Sequence, residues 1–215
     1  MSTTLQGIHH PEFKMLKRYN TPEKIQTYIE QIPMNHEEEG ETCLSPLSAL
    51  RTNRAHCFEG AMLACVCLML QDEKPTIINL KVEKTDFDHI VTVFKQNGYY
   101  GGISKTNHLV LRYRDPVYRS VRELAMSYFH EYFLVKNGKK TMLGYTNPIN
   151  MKRFGTSWMT REDDLWDIAE IIYDMPYNRV VPPQNKHLLR RATSFECGGG
   201  AIMEWPENSV KQSQK

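Results

Sequence analysis

Arg54-Ala55-His56-Cys57-Phe58-Glu59-Gly60-Ala61-Met62-Leu63-Ala64 is the stretch on which the reading of this chain turns. It describes a loop passing into a buried helix whose first turn carries a cysteine. Gly60, Ala61 and Ala64 are small, so a second element can approach that helix closely. A thiol in a first turn feels the positive end of the helix dipole, which favours thiolate over thiol. A base follows further along, in Asp86-Phe87-Asp88-His89-Ile90-Val91-Thr92-Val93-Phe94, where a histidine opens an alternating strand.

Working outward, Thr21-Pro22-Glu23 reads as a helix start, with Thr as cap and Pro at the first helical position. Ile25, Tyr28, Ile29 and Ile32 then form a stripe at helical spacing, and Pro33 ends it. A shorter helix is expected over Pro11 to Tyr19, after a loose stretch of first residues. Ser45-Pro46 repeats the cap-then-proline signal for a helix to about Leu50. The cysteine helix should run to about Leu70. Cys65 and Cys67 lie inside it and, two residues apart, cannot point at one ion; they read as core thiols.

Strands are predicted over Thr76–Val82 and His89–Lys95, with Asn97-Gly98 as a hairpin turn into Tyr99–Ser104. A further strand is expected over His108–Tyr113, before Asp115-Pro116 breaks the sheet. Three or four antiparallel strands would then pack behind one central helix, an α+β arrangement. Val117 to Phe133 reads as an amphipathic helix, and Thr160 to Met175 as the last clear one. Thr141 to Asn147 suits a short strand or an irregular link. The organisation expected is a helical segment over 1–44, a core over 45–116, a helical C-terminal extension over 117–205 and a mobile tail over 206–215.

Composition narrows the function classes. The 215 residues are 40% hydrophobic and 24% charged, which suits one globular domain. A net charge of +2 argues against a nucleic-acid partner. No apolar run follows a basic start, and the run Ala61–Leu70 is too short to span a bilayer, so neither a leader nor a membrane partner is expected. Five cysteines without framework spacing predict a reducing cytoplasm. His9-His10 has no acid or thiol at ligand spacing, and His130-Glu131 lacks a second histidine four residues on, where Leu134 stands. No metal or cofactor is therefore implied. His36 to Glu41 reads as a solvated acidic loop.

Thiol catalysis needs an ionisable sulfur, an imidazole to share its proton and a third group to orient the ring. Cys57 and His89 supply the first two. Ser104, at the end of the returning strand, and Asn107, just beyond it, are both candidates for the third. Asp88 is a poor one, because neighbouring strand side chains point to opposite faces. His56, beside the cysteine, reads as an exposed loop residue rather than a second proton acceptor, and Glu59 as a structural carboxylate that caps an amide or pairs with an arginine. A basic and aromatic cluster of Lys105, Arg112, Tyr113, Arg114, Tyr118, Arg119 and Arg122 follows. Of it, Arg112 and Arg114, together with Tyr100, are the candidates for holding substrate. The alternative for the cluster is a strand whose arginines run outward to pair with Asp115 and Glu123.

The order of helix-borne cysteine, strand-heading histidine and aromatic hairpin resembles the transglutaminase-like (papain-like) cysteine superfamily. Cys57-Phe58-Glu59 is also similar to the corresponding run in arylamine acetyltransferases. An uncharacterised bacterial group within the superfamily is similar over most of the chain, through Cys57-Phe58-Glu59-Gly60-Ala61, Asp88-His89, Gly101-Gly102-Ile103-Ser104-Lys105, Leu111 to Tyr118 and Ser127 to Tyr132. The resemblance implies Cys57 as nucleophile and His89 as base. It also implies an aspartate where this chain has Ser104. The function expected is thiol-dependent acyl transfer on a peptide, protein or small amide or ester, as hydrolase or acyltransferase. The rival is an inactive module that binds through the basic and aromatic surface.

Overall fold

The computed structural model describes residues 7–206. The first six residues of the expected loose N-terminal stretch, and the expected tail after Pro206, lie outside the described residues.

Helix α1 spans Pro22–Gln31, with the Thr21 hydroxyl accepting the Lys24 amide at 3.3 Å. Helix α2 spans Pro46–Thr52, capped by Ser45 on the Ser48 amide at 3.2 Å. Helix α3 spans Cys57–Met69, and every residue from Phe58 to Leu68 is buried. A helix apolar on all sides can only be stable inside the protein. Here α1 and α2 cover one side of it and the sheet covers the other.

Among the described residues the sheet has seven strands: β1 Thr76–Val82, β2 His89–Gln96, β3 Tyr99–Ile103, β4 Arg114–Tyr118, β5 Met142–Thr146, β6 Ile149–Asn150 and β7 Tyr177–Arg179. Their order is β4-β3-β2-β1-β5-β7, with β6 also on β1, and every pairing is antiparallel. The β2–β3 turn places Asn97 at φ 48° and Gly98 at φ 89°, the left-handed pair that matches strand twist. Along β2, Ile90 and Phe94 pack in the core around α3, and the Thr92 hydroxyl donates to the Ala61 carbonyl at 2.9 Å. Val91 and Val93 pack in a second core with Leu124, Ala125 and Tyr128. Both faces of β2 are thus covered, so its residues are buried without a break from His89 to Phe94.

The fold is therefore α+β, with the cysteine-bearing helix against an open antiparallel sheet. Several boundaries differ from expectation. His108–Tyr113 forms no strand; the next strand is β4, and it contains Asp115-Pro116. Proline lacks an amide proton, so it is tolerated on an edge strand, and β4 is an edge. In place of one long helix over 117–133 there is helix α4, Val121–Ser127, followed by a 3-10 turn over Phe129–Glu131. The region expected as a helical extension also supplies β5, β6 and β7, with β5 paired to β1 inside the sheet. Helix α5 covers only Trp166–Tyr173, and Ser194–Gly200 forms α6 where irregular chain was expected. Pro11–Arg18 winds as a 3-10 rather than an α-helix.

Candidate active site

Cys57 is the first residue of α3, and His56 is its N-cap. The His56 ring faces inward, half-buried. Its Nδ1 accepts the Phe58 amide at 3.2 Å, and its Nε2 donates to the Thr42 carbonyl at 2.9 Å. Glu59 closes a capping box by accepting the His56 amide at 2.9 Å. Its fully buried carboxylate also accepts the Thr42 hydroxyl at 2.8 Å, the Leu44 amide at 3.0 Å and the Asn35 side-chain amide at 3.0 and 3.1 Å. The charge is thus surrounded by donors, as a buried carboxylate must be. The His56 Nε2 lies 3.5 Å from it.

His89 comes to Cys57 from the head of β2. Its Nε2 lies 2.7 Å from the Ser104 hydroxyl, and that hydroxyl donates to the Leu111 carbonyl at 2.5 Å. A serine has one hydroxyl proton. With that proton on Leu111, Ser104 can only accept from the ring, so Nε2 carries the hydrogen and Nδ1 is the nitrogen left for the thiol. The Ser104 main chain is held from α1: Gln26 accepts its amide at 2.8 Å and donates to its carbonyl at 2.8 Å. Asp88 turns the other way, accepting from Val82 N at 3.0 Å, Asn79 Nδ2 at 2.8 Å and Lys81 Nζ at 2.5 Å. Its carbonyl lies 3.9 Å from the Cys57 sulfur.

The electrostatics single out this thiol. Burial pushes Cys43 and Cys65 up to about 12. Burial opposes ionisation of Cys57 too, but hydrogen bonds and charge interactions with His56 and His89 outweigh it and hold the thiol well below its ordinary value. His56 shows the reciprocal effect: burial disfavours its cation, yet contact with Cys57 and Glu59 carries it up to about 10. Burial is the main reason that Tyr132 and Tyr173 titrate high, and charge at Cys57 adds to it in both. Cys57 itself is half-buried. It lines neither of two surface depressions, one beside Asn20, Gln71 and Lys95, the other beside Glu83, Arg179 and Lys186.

Of the residues singled out from the sequence, Cys57, His89 and Ser104 come together. Asn107 does not join them. The chain turns away after Ser104, and the Asn107 amide clasps Trp205, donating to its carbonyl at 2.9 Å and accepting its amide at 2.8 Å. Arg112 is committed to Glu204 at 2.7 Å and Glu30 at 3.6 Å, and Arg114 to Glu131 at 2.7 Å. Tyr100 lies toward the far end of β3, under the Lys95 ammonium at 4.9 Å from its ring centre. Lys105 is buried, with its amine on the Ile32 carbonyl.

Two contributors differ from what the sequence suggests. His56 is the half-buried N-cap of α3 rather than an exposed loop residue, and histidine is not a residue type that marks a cap. Gln26 carried no signal, since only the folded chain brings it to Ser104. Among the described residues, no group of three or more His, Cys, Asp or Glu side chains is arranged to hold a metal ion, and no helix is long and apolar enough to cross a membrane. No known protein-family model matches this chain, and no curated protein matches it.

Proposed function

We propose that this chain is a thiol-dependent acyl-transfer enzyme of the transglutaminase-like type, with Cys57 as nucleophile and His89 as base. The observation that carries this reading is the convergence of two imidazoles, His56 and His89, on one half-buried thiol at a helix N-terminus. In the reaction, the Cys57 proton passes to His89 Nδ1 and the sulfur attacks an amide or ester carbonyl. The tetrahedral oxyanion would meet the first-turn amides of α3, where the Cys57 N–H has no acceptor among the described residues. Collapse expels the amine or alcohol, which takes its proton from His89. Water or an amine then resolves the thioester by the reverse steps.

His56 is the second imidazole beside the sulfur, and hydrogen bonding and charge interaction with it help to lower the thiol pKa. Ser104 is neutral where the resemblance implies an aspartate; it orients the His89 ring without adding charge. The chemistry is shared by hydrolases and acyltransferases, which differ in the final nucleophile.

The test is the pH dependence of Cys57 alkylation by iodoacetamide, in the native protein and in His89→Ala, with the other cysteines followed by mass spectrometry. A rate that stays high well below the ordinary thiol pKa of about 8.5, and slows on loss of His89, supports the reading. A Cys57 that is inert, or that titrates like an ordinary thiol in both proteins, overturns it.

A further inference from the structure

Leu111 is a non-glycine residue at φ 61°, in the left-handed region that leucine rarely adopts. Its carbonyl is the acceptor of the Ser104 hydroxyl, and its amide donates to the Glu131 carboxylate at 2.7 Å. The other oxygen of Glu131 pairs with Arg114 at 2.7 Å. Arg114 is itself fixed: its guanidinium lies 4.2 Å from the Tyr128 ring centre, and its Nε donates to the Ser127 hydroxyl at 3.0 Å. The Ser104 main chain is pinned by Gln26, so the direction of its hydroxyl proton is the one freedom left, and the Leu111 peptide decides it.

We propose that Glu131 is a positioning residue that sets the tautomer of His89 through the Leu111 peptide and Ser104. It rests on the reading of His89 as base. Holding the Leu111 amide keeps that residue left-handed and its carbonyl aimed at Ser104. The Ser104 proton then stays on Leu111, and His89 must donate from Nε2 and offer Nδ1 to Cys57. When the anchor goes, Leu111 relaxes, its carbonyl leaves, and the freed hydroxyl can donate to Nε2 instead. The ring then carries its hydrogen on Nδ1, where it cannot accept the thiol proton. His130-Glu131, which fails as a zinc motif, acquires a role by this route.

The experiment combines imidazole nitrogen-15 NMR of His89 with Cys57 alkylation at neutral pH, in the full chain. Wild type should show the Nε2–H tautomer. Glu131→Ala should shift His89 toward Nδ1–H and slow alkylation by roughly 5- to 30-fold, the population factor for holding a non-glycine residue left-handed. Glu131→Gln keeps an oxygen for the Leu111 amide but loses the Arg114 pair, so it should shift the tautomer less than Glu131→Ala does. Adding Leu111→Gly to Glu131→Ala should recover much of the loss, because glycine adopts that conformation freely. If Glu131→Ala does not fold, Arg114→Gln, which releases the carboxylate, is read in its place. A wild-type Nδ1–H tautomer, or a His89 spectrum indifferent to these changes, overturns the proposal. A tautomer that responds to Glu131 beside an ordinary Cys57 titration would uphold the relay and count against acyl transfer instead.

Discussion

Glu59→Gln is the sharpest probe of how the cysteine is held at its helix end. The wild-type carboxylate is fully buried; one oxygen takes the Thr42 hydroxyl, the Leu44 amide and Asn35, and the other takes the His56 amide and Asn35. A glutamine has one acceptor oxygen. Facing the three-donor side, it leaves its own NH2 against the His56 amide and the Asn35 NH2, donor against donor. A hydrogen bond to a charged group contributes about 1.5–3 kcal/mol, and an unsatisfied buried donor costs a further share of that order. The expected loss is about 3 kcal/mol, or roughly 6–12 °C in melting temperature at about 2–4 °C per kcal/mol for a chain of this size. Urea unfolding followed by circular dichroism should show the midpoint fall at an unchanged slope. Helix α6 supplies the control: Thr193 and Glu196 form the same capping box at the surface, with the Thr193 amide 2.6 Å from Glu196. Glu196→Gln should barely move the midpoint, because water replaces the lost acceptor at the surface. If Glu59→Gln also costs under about 1 kcal/mol, the reasoning from burial is wrong.

Two further outcomes follow from the site. The lowered Cys57 pKa favours the fold above the unfolded thiol value and loses its contribution as pH falls through the folded one. The raised His56 pKa favours the fold below the unfolded imidazole value and loses its contribution as pH rises through about 10. The two windows overlap, so the stability difference between wild type and Cys57→Ala should be greatest between about pH 6.5 and 8.5, the unfolded values, and shrink toward pH 5 and toward pH 10; a difference in thermal melts that stays flat from about pH 5 to about 10 would refute the coupling. Gly60 lies where an added Cβ would come within 2.5 Å of the Lys105 Cβ and 2.9 Å of its Cγ. Gly60→Ala should therefore destabilise by about 1–3 kcal/mol, although alanine is the better helix former by about 1 kcal/mol; an increase in stability by urea titration would mean that the Lys105 stem can move aside.

Much of this protein was legible from local chemistry. Thr21 and Ser45 mark their helix starts because a cap is satisfied by amides a few residues away. The burial of α3 follows from its all-round apolar surface, and the β2–β3 hairpin from Asn97-Gly98. Cys57 and His89 could be paired on paper because each heads its element, and Glu59 could be read as a cap from its place in the first turn. What sequence could not choose was the partner of His89. Ser104 and Asn107 are three residues apart and equally polar. Ser104 meets the ring from a main chain that Gln26 holds on both sides, and Asn107 is drawn off by Trp205. The arginines looked free for the same reason, since Glu204, Glu30 and Glu131 meet them only in the folded chain.

The sheet divides along the same line. Strands joined by a short turn were predicted, whereas β5 enters beside β1 from far along the chain, and β4 keeps its proline because it lies on an edge. By itself the sequence determined the elements whose stabilising contacts lie within a few residues. The tertiary structure decided the neighbours, because side-chain direction and hydrogen-bond ownership at the cysteine depend on segments that only folding brings together.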